Sequence, residues 1–265
     1  MRLIRSAFVL CVFLCTIPGW TQQTSTQPTP SPAHKDPQAV SIISQALPVV
    51  GGIQAILATT DYTASGTVTY HQDQEVQGFI TLHGLGLGEF REDSTLPTGV
   101  RSFSINSNGA VLMKNENGIA RNLNYKYQAP LMKSSLIIPC WQLAAALNDP
   151  LFAVSYKGAT QIDGFTVYDI RIQLTPPGPP DPNGVIAEYF GADFFIDATS
   201  YQVRMTQDVV GQHFGRTIRY DNYKSVNGVL VPFSIDEDID NQRTREIQLN
   251  QIVINTGLQD SDFDL

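Results

Sequence analysis

Apolar and polar residues alternate along most of the chain with a period of two, which is typical of strands that bury one face. From Tyr62 to Tyr70, every second residue is apolar or small and the residues between them are mostly threonine or serine. Three later rows repeat this alternation: Tyr168 to Leu174, Phe190 to Ile196 and Val229 to Ile235. In the last predicted strand the alternation slips by one residue near Asn250-Gln251, which predicts a β-bulge.

Turn signals separate these rows. Four Asn-Gly or Asp-Gly dipeptides are candidates for type I′ hairpin turns: Asn108-Gly109, Asn117-Gly118, Asp163-Gly164 and Asn227-Gly228. Short strands joined by tight hairpins favour an antiparallel meander. A proline-rich stretch, residues 175–184, interrupts the pattern and is predicted to be an exposed, extended loop.

Two segments have helical periodicity instead. Asp36-Pro37 has the form of a helix start, an N-cap residue followed by proline, and apolar residues follow it at helical spacing. A short second turn is predicted over Ile53 to Ala58. A further apolar stripe, from Cys140 to Leu147, follows Pro139. The predicted fold class is mainly β (α+β), a single strongly curved antiparallel sheet with helices covering its concave face and enclosing an apolar cavity.

The first residues have the layout of a secretory signal peptide. Arg2 and Arg5 precede an apolar core from Ala7 to Ile17, and cleavage is predicted after Thr21. The alternative is an anchor that is never cut, although the apolar core is short for one. Both cysteines of this segment follow a leucine, so there is no lipobox. Residues 22–35 are predicted to be a disordered tether and residues 36–265 a single domain.

Charge and cysteine content narrow the range of possible functions and structures. The 265 residues carry a formal net charge of −8, which argues against a nucleic-acid partner. After cleavage Cys140 is the only remaining cysteine, so no internal disulfide is expected.

Several motifs for catalysis or metal binding fail on inspection. Gly84, Gly86 and Gly88 lack the Lys-Ser/Thr of a phosphate loop, and they are better explained as easing a bend in a curved strand. The triplet Asp236, Asp238 and Asp240 lacks the glycine and the final glutamate of an EF-hand, so a solvated strand end is the favoured interpretation.

The remaining candidates are isolated side chains. His71, His83 and His213 have no metal-ligand spacing. Cys140, beside Trp141, is better explained as a packing residue than as a nucleophile. We therefore predict no catalytic residues, no metal and no cofactor.

Several segments together resemble the LolA/LolB-like superfamily of periplasmic lipoprotein carriers and their relatives. They are Glu89 to Glu92, Phe194 to Asp197, Ile218 to Tyr223, Val226 to Pro232 and Ile247 to Asn255. The resemblance implies a half-barrel of about eleven strands with a helical lid and an apolar ligand cavity. It also implies a periplasmic or otherwise exported protein, which we expect to be a monomer.

On this basis we expect the chain to bind an acyl chain, a lipid or an acylated protein and to transport or present it, without catalysis. The predicted cavity residues are Tyr62, Val68, Phe90, Trp141, Leu143, Tyr168, Phe194, Tyr220 and Phe233. The alternative is an envelope sensor or interaction module that uses the same fold to bind a protein partner. A hydrolase is the third class, and no catalytic constellation supports it.

Overall fold

The computed structural model describes residues 33–71, 74–123, 136–175, 189–210 and 214–265. The predicted signal peptide and most of the predicted tether lie outside these ranges. The predicted proline-rich loop, apart from Thr175, also lies outside them.

The helices begin where the sequence predicts. Helix α1 (Pro37–Val49) has Asp36 as its N-cap, and one Asp36 carboxylate oxygen accepts hydrogen bonds from the backbone N–H groups of Gln38 (2.7 Å) and Ala39 (3.2 Å). Two shorter helices follow, α2 (Ile53–Leu57) and α3 (Cys140–Asn148). No helix in the described ranges combines the length and the apolar character needed to cross a membrane.

Fifteen strands are present in the described residues. They are β1 (Asp61–His71), β2 (Glu75–Leu85), β3 (Glu89–Leu96), β4 (Gly99–Ile105), β5 (Val111–Lys114), β6 (Ala120–Leu123), β7 (Phe152–Ile162), β8 (Phe165–Leu174), β9 (Gly191–Asp197), β10 (Val203–Val210), β11 (Phe214–Asp221), β12 (Lys224–Val226), β13 (Val229–Val231), β14 (Ser234–Ile239) and β15 (Gln242–Ile254). A 3₁₀ helix, Asp260–Phe263, follows β15.

Thirteen of these strands form one sheet, in the order β6-β5-β4-β3-β2-β1-β15-β14-β11-β10-β9-β8-β7, and β12 and β13 form a separate hairpin. All paired strands in the described part of the chain are antiparallel, as the hairpin-rich sequence predicts. Strands β1 and β15 are neighbours at the middle of the order, so the last long strand closes onto the first. The mainly β, single-sheet prediction is confirmed, with thirteen strands in the described part of the chain.

The predicted bulge lies in β15. The pairing of β1 with β15 passes from Ser65 opposite Gln251 to Gly66 opposite Leu249, which leaves Asn250 as the extra residue. Gly66 is required here because a Cβ atom at this position would lie 2.1 Å from the backbone oxygen of Gln248. The bulge restores the alternation, so both halves of β15 bury the same face.

Two of the four predicted type I′ turns are present. Asp163-Gly164 and Asn227-Gly228 have positive φ at both central residues, as this turn requires. A third pair with positive φ at both residues, Asp240-Asn241, joins β14 to β15 without a glycine. Sequence inspection missed it because the usual glycine signal is absent.

The other two turn predictions are wrong. Asn108 and Asn117 do not have positive φ. Instead, the preceding side chains organise the loops. The Asn106 side-chain oxygen accepts from the backbone N–H groups of Asn108 and Ala110, and Asn115 makes the equivalent pair of bonds.

The start of edge strand β7 is paired with the segment before α1. Lys35 forms a parallel bridge with Val154, whose backbone N–H donates to the His34 carbonyl oxygen at 3.0 Å. Farther along, β7 carries a bulge between Tyr156 and Gly158. Residues 33–35, which the sequence assigns to the tether, are thus hydrogen-bonded to the sheet edge.

Lys35 also holds the end of α3. Its Nζ donates to the carbonyl oxygens of Ala146 (2.8 Å), Leu147 (2.9 Å) and Asp149 (3.1 Å). A cation at this position satisfies carbonyl groups that a helix C-terminus leaves without partners, and it complements the helix dipole.

We expect Lys35→Met to lower the free energy of unfolding by about 1 kcal/mol, because it removes these charge-assisted bonds but keeps the aliphatic stem. Urea denaturation of the two proteins measures the difference. Lys114→Met, in an exposed position on β5, is the matched control and should leave the midpoint unchanged. Equal losses in both variants would contradict the capping role.

Candidate ligand-binding site

One face of the sheet is apolar over most of its area, and we call it the inner face. Its defining residues are buried and belong to one continuous core: Tyr62, Ala64, Val68, Ile80, Leu82, Phe90, Ala192, Phe194, Ile196, Ile218, Tyr220, Ile235, Ile247, Leu249, Ile252 and Ile254. Strand pairing aligns these side chains across neighbouring strands, for example Val68 opposite Ile247 and Ile247 opposite Ile235. The alternation in the sequence therefore becomes one apolar surface.

The helices cover this surface near the start of β1. Trp141 of α3 contacts Tyr62 of β1, with ring centroids 5.7 Å apart. Trp141 is 6% exposed, and its indole Nε1–H has no hydrogen-bond acceptor within the described residues. A buried indole usually finds an acceptor, so this N–H group is available to a polar atom of a ligand.

Cys140, the neighbour of Trp141, is buried in the same core. Burial raises the pKa of its thiol to about 12, so the thiol stays protonated at neutral pH. Because the thiolate is the nucleophile, this environment supports the interpretation of Cys140 as a packing residue.

The structure brings the predicted cavity residues into one core. Eight of them are buried: Tyr62, Val68, Phe90, Trp141, Leu143, Phe194, Tyr220 and Phe233. The ninth, Tyr168, is half-buried and packs against this core. Their role as ligand contacts stays a prediction.

Sequence inspection missed a group of charged residues on the inner face, which we call the charge belt. It consists of Glu92, Asp208, Arg216, Glu237 and Arg245, each less than 10% exposed. Arg216 binds both carboxylate oxygens of Asp208, at 2.9 and 2.6 Å, and its Nη1 lies 3.8 Å from Glu237. Arg245 donates to Glu237 at 3.2 Å and to Glu92 at 2.6 Å.

The belt shows that the inner face is concave. Glu92 lies on β3 and Arg245 on β15, three strands apart in the sheet. Neighbouring strands are about 4.8 Å apart, so in a flat sheet the bases of these side chains would be separated by about 14 Å across the strands. They would also be offset along the strands, because Glu92 aligns with Ala64 of β1 through Leu82, whereas Arg245 aligns with Tyr70. Their 2.6 Å contact requires the sheet to bend toward the face that carries them.

Electrostatics favour the charged form of Arg245 and the protonated form of the neighbouring Tyr70 hydroxyl. Burial opposes the charge of Arg245, but the Glu237 and Glu92 carboxylates hold its pKa above the ordinary arginine value. Burial and the Glu92 carboxylate raise the pKa of Tyr70 to about 12. The Tyr70 hydroxyl therefore stays protonated and donates to Glu92 at 3.0 Å.

The acidic triplet that the sequence singled out is used in ion pairs. Arg243 lies 3.1 Å from Asp236 and 2.6 Å from Asp238, and Arg219 also pairs with Asp238. Within the described ranges, no three His, Cys, Asp or Glu side chains converge as a metal site would require. His213 lies outside those ranges.

Comparison with known proteins identifies the fold. No family model matches the chain, and no curated protein matches it by sequence. Solved structures do match. A LolA superfamily protein from Nitrosomonas europaea has a TM-score of 0.55 at 8% identity, covering 84% of this chain and 97% of its own. A DUF1329 family protein from Desulfovibrio piger has a TM-score of 0.51 at 8% identity, with the same two coverages.

A third structure, described as an outer membrane lipoprotein-sorting protein domain from Vibrio parahaemolyticus, has a TM-score of 0.51 at 11% identity. The match covers 86% of this chain and 96% of that domain. Together with the open, curved sheet and the helices on its concave face, these matches confirm the fold that the sequence resemblance implies. This chain therefore has a LolA-like fold.

Proposed function

We propose that this protein binds an acyl chain, carried by a lipid or a lipoprotein, on the inner face beneath α3, and transports or presents it without covalent chemistry. The observation that carries the proposal is the continuous apolar concave face, which extends from Tyr62 to the charge belt. Burying each methylene of an acyl chain there would contribute about 0.8 kcal/mol.

The geometry supports access to this face. In the described residues the sheet ends at β6 on one side and at β7 on the other, so it is an open half-barrel. Helix α3 has nine residues and rests on the inner face through Trp141. A small displacement of this helix would separate Trp141 from Tyr62 and admit a chain between them.

The structural matches and the sequence agree with this proposal. The Vibrio domain is described as a lipoprotein-sorting protein, and the fold is shared. The predicted signal peptide would deliver the protein to the periplasm or another exported location, where acylated cargo is present.

Tryptophan fluorescence tests the proposal directly. Trp20 lies in the predicted signal peptide, so the mature chain beginning at Gln22 has Trp141 as its single tryptophan. Stearic acid brominated at mid-chain should quench Trp141 emission at about one ligand per protein, because bromine quenches an indole only on close approach. Unbrominated stearic acid should compete and restore the emission.

Two neighbouring phenylalanines of β9 provide a matched pair. Phe194 lies on the inner face, whereas Phe195 packs against Val167 and Met205 on the opposite face. Phe194→Ala should weaken acyl binding by about tenfold, the effect of losing about 1.4 kcal/mol. Phe195→Ala should bind as the parent does. If the parent takes up no acyl probe but retains a stoichiometric protein partner from the envelope, the interaction-module function replaces this one.

A further inference from the structure

The chain beyond β15 crosses the outer face of the sheet, which is the face opposite to the inner face. We call residues 255–265 the strap. Arg91 lies on the outer face because it follows Phe90, an inner-face residue, on β3. Ser104 of β4 pairs with Arg91 and therefore shares this face. The strap contacts both residues, so it extends from β15 to the fourth strand.

The first part of the strap is fixed to β1 by the Asp61 carboxylate. This group accepts hydrogen bonds from the backbone N–H and the hydroxyl of Thr256, at 2.5 and 2.6 Å, and from the N–H of Gly257 at 3.2 Å. Burial opposes the charge of Asp61, but these hydrogen bonds hold the pKa of its carboxyl below the ordinary value. This attachment therefore persists in moderately acidic solution.

The second part of the strap is docked on β3 and β4. Arg91 Nη1 donates to the backbone carbonyl oxygens of Asp262 (2.9 Å) and Asp264 (3.2 Å). The Ser104 hydroxyl donates to the carbonyl oxygen of Phe263. The Phe263 side chain is fully buried, although it does not belong to the inner-face core. Docking of this part therefore buries an aromatic ring and provides donors for three carbonyl groups.

This docked part also places carboxyl groups against a buried carboxyl group of the sheet. Glu89, on the outer face of β3, is 8% exposed, and its Oε2 atom has no hydrogen-bond partner in the described residues. The Asp260 carboxyl is close enough to share a proton with Glu89, and Asp264 adds a second negative charge nearby. Burial and the Asp260 charge raise the pKa of the Glu89 carboxyl above its ordinary value.

The other ionisable groups at this contact act differently. Arg91 and Asp93 pair with each other at 2.8 Å. His83 lies opposite Arg91 on β2 and interacts with the charges of Asp93 and Asp262. Burial lowers the pKa of His83, so its protonation opposes docking, whereas protonation of Glu89 favours it.

We propose that the strap is a pH-dependent brace, whose second part docks on β3 and β4 when Glu89 and Asp260 share a proton and is released when both are ionised. Two carboxylates at such a contact repel each other, and a shared proton replaces the repulsion by a hydrogen bond. Because the pKa of Glu89 is raised in the docked state, docking is complete in acid and is lost as the pH rises through that value. Asp61 keeps the first part attached, so the release is local.

The brace lies directly behind the inner face. Glu89 and Arg91 flank Phe90 on β3, so release of the strap would loosen a strand that carries a predicted ligand contact. The device itself involves no ligand, so its test is independent of the proposed function.

Fluorescence anisotropy of a labelled strap tests the proposal. Ser261 is exposed, and Ser261→Cys in the mature chain beginning at Gln22 supplies one accessible thiol, because Cys140 is buried and protonated. The anisotropy that a maleimide dye at this position owes to local motion should fall about twofold from about pH 5.5 to about pH 8. Carboxyl groups of ordinary pKa stay ionised across this interval. Equal anisotropy at the two pH values overturns the proposal.

Glu89→Gln identifies the switch. Glutamine keeps a hydrogen-bond donor beside Asp260 and carries no charge, so the anisotropy should stay at its acid value at both pH values. Glu75→Gln, at an exposed position of β2, is the matched control and should respond as the parent does. A full response in Glu89→Gln overturns the proposal. If Glu89→Gln does not fold, Asp260→Asn on the exposed side of the strap removes the same repulsion and should give the same result.

Two further variants separate the contributions of neighbouring side chains. In His83→Gln the release at high pH should persist, because Glu89 and Asp260 are unchanged. If the response disappears, the histidine is the switch and the proposal is wrong. Arg91→Gln removes two hydrogen bonds to the strap and should give low anisotropy at both pH values, with circular dichroism establishing that the protein is folded. High anisotropy in this variant contradicts the docked geometry.

Discussion

Arg216→Met is expected to lower the free energy of unfolding by about 3–5 kcal/mol. The side chain of Arg216 is 2% exposed, and it holds the buried carboxylate of Asp208 through two hydrogen bonds. Removing the guanidinium leaves Asp208 charged and buried without this partner, and it also removes the Arg216 Nη1 group that lies 3.8 Å from Glu237. Urea denaturation, with the slope m compared between the two proteins, measures the loss.

Two further variants separate charge burial from general damage. In Arg216→Met combined with Asp208→Leu, no unpaired charge remains in this pair, so most of the lost stability should return. Arg243→Met removes an arginine whose side chain is 34% exposed and should lower the free energy of unfolding by no more than about 1 kcal/mol. A double variant as unstable as Arg216→Met would contradict the electrostatic explanation.

Gly84→Ala is expected to lower the free energy of unfolding by about 1–3 kcal/mol through overpacking. A Cβ atom at Gly84 would lie 2.4 Å from Cε1 of the Tyr62 ring. Tyr62 is fully buried and cannot move aside without displacing its neighbours. Since Tyr62 contacts Trp141, the emission of Trp141 in the folded protein should change as well.

Gly88→Ala is the control for this prediction. No heavy atom lies within 4 Å of a Cβ atom built at Gly88, and Gly88 is absent from the glycines with positive φ. We expect no loss of stability and no change in Trp141 emission. If the two alanine variants have equal stability, the close contact between Tyr62 and Gly84 does not constrain the fold.

The glycine run illustrates what the sequence could and could not predict. Its spacing was correctly separated from a phosphate loop, because a strand follows in place of a helix. The reason for Gly84, however, is the Tyr62 ring on the neighbouring strand. Such a contact depends on the pairing of β1 with β2, which no local pattern specifies.

The strands themselves were predictable because nearly every strand has one apolar face. Such a strand has apolar and polar residues in alternation along the sequence, which can be seen directly. The charge belt was not, because a charged residue in an alternating strand is normally assigned to the solvent side. The signal was nevertheless present. Arg216 shares its parity with Ile218 and Tyr220, and Arg245 shares its parity with Ile247.

Which apolar residues could contact a ligand depends on the curvature of the sheet, and this curvature results from all of its strands together. The Arg245–Glu92 contact, which reveals it, joins residues 153 positions apart in the chain. The helix starts, by contrast, depend on neighbouring residues alone, and Asp36-Pro37 was sufficient to predict one.

An open sheet has two edges, and a free edge can recruit strands from other molecules and grow into a fibre. Here the first part of β7 already pairs with residues 34–36, so another chain finds no free backbone groups at Val154. Beyond it, the bulge at Tyr156–Gly158 breaks the regular register, and Lys157 adds a positive charge at the bulge. The sheet can therefore stay open on the β7 side, as the proposed acyl site requires, without becoming a template for polymerisation along this edge.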